Sequence, residues 1–213
     1  MRKALLSWIL VIVFAGPALA QDLKPVELSK PDMEGGKPLM QVLKARQSGR
    51  EFSTEKLPPQ VLSNLLWAAW GINRPDSGRR TAPSASNRQE IEIYVATAEG
   101  LYLYDAKAHR LQPAVAKDLR AATGRQAFVA EAPVNLVYVA DYSKMGKGSD
   151  EEKAFLSGAN TGFIGQNVYL YCASEGLVTV VRAMADRPVL AKAMNLRPDQ
   201  RITLVQTVGY PKK

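Results

Sequence analysis

The chain is poor in the residues on which much chemistry at neutral pH depends. Its 213 residues hold one cysteine, Cys172, and one histidine, His109. A single cysteine excludes an internal disulfide. One Cys with one His also cannot build the thiolate–imidazole sets that hold structural zinc. Cys172 falls in an apolar helical pattern and His109 in a turn-like Ala-His-Arg segment, so the sequence predicts a core thiol and a surface imidazole. Basic residues outnumber acidic ones, 28 to 20, but they are scattered rather than gathered into a stripe, which argues against a nucleic-acid partner. No internal repeat and no low-complexity tract is present.

A long, mostly apolar run stands at the start. Arg2 and Lys3 precede the stretch Ala4 to Ala15, a Gly16-Pro17 break follows, and Ala18-Leu19-Ala20 leads into Gln21. This order matches a secretory signal peptide spanning residues 1–20, cleaved before Gln21. The run is too short to cross a bilayer, which needs about 20 apolar residues, so no stable membrane anchor is expected. No cysteine lies near the cleavage site to carry a lipid, and no arginine pair marks export of a folded chain. The expected destination is outside the cytoplasm, in the periplasm.

Residues 21–37 mix Pro, Gly and charge without periodicity and read as an extended arm, with one domain following over residues 38–213. Leu39, Met40, Val42 and Leu43 predict a first helix running to about Gln47. Pro58-Pro59 opens and Gly71 closes a second one. Residues 72–88 have no period and predict a long loop, a length that is often functional. Ile91 to Ala96 and Leu101 to Tyr104 predict a hairpin, residues 114–123 a short helix, and Val134 to Ala140 a strand buried on both faces. Asp150-Glu151-Glu152 predicts the start of the longest helix, reaching Ser174 with an interruption near Gly162. Val178 to Val181 and Ile202 to Val208 predict strands, and residues 188–194 a short helix. Irregular alternation of helices and strands around a hairpin argues for an α+β fold.

Three segments could carry chemistry. In Arg46-Gln47-Ser48-Gly49-Arg50, two guanidinium groups flank a hydroxyl and can converge on one anion such as a phosphate; the same residues also suit a solvated basic helix end. Gly78-Arg79-Arg80-Thr81-Ala82-Pro83-Ser84-Ala85-Ser86-Asn87 would let the backbone approach a flat ligand, or be an ordinary Ser/Pro loop. Glu175-Gly176-Leu177, leading into Val178 to Ala183, reads alone as a helix cap and a strand.

In this order the segments resemble the nitroreductase family of FMN-dependent oxidoreductases, including its SagB-type dehydrogenase relatives. Arg46, Ser48 and Arg50 resemble the family's phosphate- and ribityl-binding motif. Pro83-Ser84-Ala85-Ser86-Asn87 resembles its flavin segment. Asn160 to Asn167 with Glu175-Gly176-Leu177 resembles its central helix and the turn after it, and Gly209-Tyr210-Pro211 its last strand end. The resemblance covers residues 38–213. It implies a mainly antiparallel sheet flanked by helices and a homodimer holding FMN at its interface. It also implies a two-step reaction, in which a NAD(P)H-like donor reduces the flavin at N5 and a small organic acceptor reoxidises it. Arg46, Ser48 and Arg50 would bind the phosphate and ribityl chain, with Arg80, Lys212 or Lys213 as further cations. Pro83, Ser84, Ala85 and Asn87 would line the ring. Val181, Arg182 and Ala183 would face it, the amides of Arg182 and Ala183 meeting N5 and O4 while the Arg182 side chain tolerates change. No metal is implied. The competing expectation is an exported flavin- or partner-binding protein that keeps the fold without turnover.

Overall fold

The structure, a computed structural model, describes residues 22–212. The signal peptide expected at residues 1–20, the junction residue Gln21 and the terminal cation Lys213 lie outside the described residues. Nine strands and five α-helices follow in the order β1 (Val26–Glu27), α1 (Leu39–Ala45), α2 (Pro59–Trp70), β2 (Ile72–Arg74), β3 (Arg79–Arg80), β4 (Ile91–Ala96), β5 (Leu101–Asp105), β6 (Arg110–Val115), α3 (Phe128–Glu131), β7 (Val134–Asp141), α4 (Asp150–Glu175), β8 (Val178–Arg182), α5 (Arg187–Ala193) and β9 (Gln200–Gly209). Seven strands form one sheet in the order β1-β6-β5-β4-β7-β9-β8, and every pairing in it is antiparallel. The fold is α+β, as the pattern predicted.

The sheet is covered on both faces, and β7 at its centre shows why an unbroken apolar run was needed. All eight of its residues are buried. Leu136, Tyr138 and Ala140 pack toward α2 and α4 with Leu65, Leu66, Ile164 and Val168. Val137 and Val139 face the opposite layer, with Leu190 of α5 and Val205. Side chains alternate across a strand, so one face each follows from the two-residue period.

Helix α4 forms because its ends are specified. The Ser149 side chain accepts from the Glu152 N–H, three acidic residues occupy the first turn, and Gly176 closes the helix at φ 71°. Negative charge at the N-terminus and a left-handed glycine at the C-terminus both satisfy groups a helix leaves open. The interruption expected near Gly162 does not occur. The helix runs 26 residues without a break, because Gly162 has open space at its Cβ position and flanking turns packed on the sheet hold it helical.

Other expectations need correction. Residues 114–123 are not a helix; the chain there ends β6 and makes a 3-10 turn at Arg120–Thr123. β6 carries Pro113, but it lies near the sheet edge and borders only the two-residue β1 on its outer side, where a missing N–H is tolerated. The loop at 72–88 contains the β2–β3 ribbon, turned by Gly78 at φ 63°. On α1 only Val42 is buried, while Leu39, Met40 and Leu43 are exposed. The arm is strapped to the domain: Asp32 N donates to Asn64 Oδ1 and Lys37 N to Ser174 Oγ, both at 2.9 Å. His109 is half-buried rather than surface. It shares hydrogen bonds with Ser63 Oγ (2.8 Å), Tyr104 Oη (3.0 Å) and the Ser29 carbonyl (3.1 Å), tying the arm to α2 and β5. Cys172 is fully buried as expected, and burial pushes its thiol far up, so it is no nucleophile.

Candidate functional site

The site is assembled at β8, the strand at one end of the sheet. Its inner edge pairs with β9; its outer edge is free to bind other groups. Strand hydrogen bonds alternate between the two edges, and two bonds fix the phase here. The Thr179 carbonyl accepts from Gly49 N (3.1 Å), and Val181 N donates to Tyr169 Oη (3.0 Å). Neither partner is on β9, so the amides of residues 179, 181 and 183 face outward, and those of 180 and 182 belong to the ladder.

This phase corrects one expectation. The Arg182 N–H is spent on β9 and cannot meet a ligand at the outer edge. The Ala183 N–H points outward and finds no acceptor among the described residues.

The Arg46–Arg50 loop is laid directly on that outer edge. Gly49 makes the approach possible, since a Cβ there would stand 2.5 Å from Val178 Cγ1. Tyr169 of α4 ties the parts together. Its hydroxyl accepts from Val181 N and shares a 2.8 Å hydrogen bond with Ser48 Oγ, and the Arg46 guanidinium lies 5.4 Å from its ring centre. Tyr169 was not singled out in the sequence, because a tyrosine within an apolar helical run reads as core. Arg46 is half-buried, while Ser48 and Arg50 are exposed. Among the described residues neither arginine forms an ion pair. The C-terminal segment joins from below: Phe52 bridges to Pro211, and Lys212 N donates to the Glu51 carbonyl at 3.3 Å. That brings Lys212 next to the same loop, beside a cavity of about 590 Å³ lined by Phe52, Glu55, Glu131 and Tyr210.

The segment Pro83 to Asn87 sits elsewhere. Ala85 N donates to Asn160 Oδ1 (3.3 Å), and Asn160 Nδ2 donates to the buried Glu90 carboxyl (2.7 Å). From Asn160 to Tyr169 is nine residues of helix, a rise of roughly 13 Å, so one protomer does not bring this segment to the Arg46 loop. Its backbone is constrained, with Ser86, Asn87 and Gln89 all at φ near 50°, a region that costs energy for residues other than glycine. Gln89 holds it in place, accepting from Arg80 Nε (2.7 Å) and donating to Asn87 Oδ1 (3.1 Å). Arg80 is committed to this scaffold. It also donates to the Trp70 carbonyl (2.9 Å) and stacks on the Trp70 ring, and burial lowers its pKa against the opposing pull of Tyr104 and Asp105.

The Arg182 side chain, expected to tolerate change better than its backbone amide, is built into the protein. It is 6% exposed and points to the face opposite α4. Its Nη1 donates to the Thr123 carbonyl (2.9 Å), and its Nη2 to Asn135 Oδ1 (3.1 Å) and Thr207 Oγ1 (2.9 Å). The guanidinium also lies over Phe128. Burial lowers its pKa to about 10, so it stays charged at neutrality.

The outer edge of β8 thus carries a loop with two arginines that form no ion pair among the described residues, next to an outward amide. The comparisons identify the family. The sequence model of the Nitroreductase family matches residues 43–210. A protein of Methanocaldococcus jannaschii named for the same family is 34% identical over 165 residues, covering 73% of this chain and 82% of its own. A crystal structure of a protein from Ralstonia eutropha JMP134, also named for the family, superposes with a TM-score of 0.85 at 41% identity, over 99% of this chain and 97% of that one. A chain of the E. coli microcin synthetase McbBCD complex shares the fold alone, with a TM-score of 0.71 at 23% identity over 79% of this chain and 70% of that one. The chain belongs to the nitroreductase family. Family and fold together make it an oxidoreductase of the nitroreductase type.

Proposed function

We propose that the protein is an FMN-dependent oxidoreductase that works as a homodimer, with its flavin phosphate held by the Arg46–Arg50 loop. The observation that carries this reading is the junction at Tyr169, where the loop's Ser48 and Arg46 meet the outer edge of β8. The residues present fit FMN. Arg46 and Arg50 have no competing acid partner among the described residues, and charge-assisted hydrogen bonds to phosphate are the strong kind. The outward Ala183 N–H lacks an acceptor and suits a ring atom that gains electron density.

When bound, FMN supplies the transfer itself, accepting electrons from a NAD(P)H-like donor and passing them to a small organic acceptor. The protein binds and orients. Arg46, Ser48 and Arg50 hold the phosphate end, with Lys212 or Lys213 as a further cation. Val181 and Ala183 fix the ring edge, and the Ala183 amide offers a preorganised dipole without a titrating side chain.

The separation of the two cofactor segments along α4 supports the dimer. Two copies of α4 running antiparallel across a two-fold axis would set Pro83, Ser84, Ala85 and Asn87 of one protomer beside the Arg46 loop of its partner. The surface that such packing needs is present: Leu39, Met40 and Leu43 on α1 and Phe155 and Phe163 on α4 are exposed. Between the two phenylalanines, Gly158 and Gly162 have open space above them. Exposed apolar area of this kind marks an interface.

We further propose export to the periplasm with cleavage before Gln21, supported by the order of charge, apolar run and small residues at the start of the chain. Among the described residues no helix is long and apolar enough to cross a membrane. An intact mass of the exported protein beginning at Gln21 is the expected result, and one retaining Met1 contradicts it. The test of the reaction is anaerobic titration of FMN-loaded protein with NADH or NADPH. Loss of the visible flavin absorption, restored by an added nitroaromatic or quinone, is expected. A protein that loads FMN but is reduced by neither donor contradicts turnover with such donors and favours a flavin-binding role.

A further inference from the structure

Arg182 is a cation built into the protein without an anion. Its cradle is specific: Thr123, Asn135, Thr207 and Gln126 supply neutral acceptors, and Phe128 covers the guanidinium. Gly124 leaves room that any side chain would close, since a Cβ there would clash with Nη1. Among the described residues no carboxylate pairs with it, and Nε has no partner at all. A buried charge is costly and is usually paired. Here the compensation is missing at one particular place, one residue before the outward Ala183 N–H at the end of the flavin-facing edge.

We propose that Arg182 is a positioning charge for the flavin's redox state: its uncompensated guanidinium stabilises the electron-rich reduced cofactor over the oxidised one. The proposal rests on the flavin reading above. Two electrons and one proton convert FMN to its reduced anion, which carries one more negative charge on the ring. A fixed cation on the residue next to that edge, in a buried site where salt screens little, favours that form. The electrons come from the same donor that the reaction uses, and Arg182 itself is neither oxidised nor deprotonated.

The readout is the midpoint potential of bound FMN, together with the ratio of affinities for oxidised and reduced FMN. Arg182→Met keeps the volume and removes the charge. It is expected to cut the preference for reduced FMN about tenfold, a shift of about 30 mV to lower potential for a two-electron couple. Arg182→Lys restores the charge and is expected to lie nearer wild type. Gln126→Glu keeps the arginine and places a carboxylate at a position now 3.5 Å from Nη1. It is expected to lower the potential in the same direction with the fold intact, so the proposal stands or falls on it even where Arg182→Met does not fold. Wild-type potential in Gln126→Glu, or equal potentials in the Lys and Met variants, overturns the proposal and leaves the flavin reading untouched. Wild-type protein that takes up no FMN overturns both.

Discussion

Arg46 and Arg182 stand on opposite sides of β8 and do opposite work. Arg46 is half-buried, stacked on Tyr169 and free of any carboxylate among the described residues. On the reading proposed above, its charge is presented to the ligand that binds the outer edge. Arg182 is buried and spends its donors on Thr123, Asn135 and Thr207. On that reading, the same functional group contacts a ligand on one face, and on the other is held by the protein and acts on the ligand only through its charge. What decides between the roles is the number of acceptors the protein itself provides.

The largest expected break in this comparison is in stability. Arg182→Ala leaves a cavity and removes the partner of the Thr123 carbonyl, so it should cost about 2–3 kcal/mol, whereas Arg46→Ala should change stability by less than about 0.5 kcal/mol. Urea unfolding of both variants measures the difference, and equal costs would erase the distinction. Next comes the outward amide. Ala183→Pro removes an N–H that no protein acceptor uses among the described residues, so the fold should survive while flavin reduction slows by about tenfold or more. Stopped-flow reduction of FMN-loaded variant checks this. Tyr169→Phe then sharpens the link between loop and strand. It removes the hydroxyl shared by Ser48 and Val181 N, and a loss of about 1 kcal/mol in stability is expected, with weaker FMN retention.

The smallest effect concerns the arm. Burial holds the His109 pKa below its ordinary value, against the Ser29 carbonyl, which raises it. A depressed folded pKa means that the unfolded chain binds the proton more readily. Stability from His109 is therefore present above about pH 6.5 and is lost as pH falls through the folded value. Protection factors of the amides at residues 26–30, which remove the intrinsic slowing of exchange in acid, should fall on acidification in wild type and less so in His109→Gln.

Much of this architecture was legible because local and global signals agreed. β7 is apolar throughout because both faces are covered, and α2 is bracketed by Pro59 and Gly71 in sequence as in space. The Arg46 loop was legible as a cationic cluster. What failed did so where tertiary contacts overrule local preference. Gly162 reads as a break, yet α4 passes through it. Residues 114–123 read as a short helix, yet the chain there ends β6 and makes a 3-10 turn. Strand phase is invisible in sequence, so the Arg182 and Ala183 amides looked equivalent until Gly49 and Tyr169 fixed which edge each one faces. The role of Tyr169 was hidden for the same reason, since a tyrosine's hydroxyl partners lie far away in the chain.

The account turns on the claim that the Arg46–Arg50 loop is the seat of the flavin phosphate. Paired titrations of wild type and Arg46→Ala with FMN and with riboflavin, which lacks the phosphate, test it most directly. The expected result is a loss of about 2 kcal/mol, roughly thirtyfold, in FMN affinity, with riboflavin affinity unchanged within about twofold. An equal loss for both ligands, or no loss for either, would contradict it.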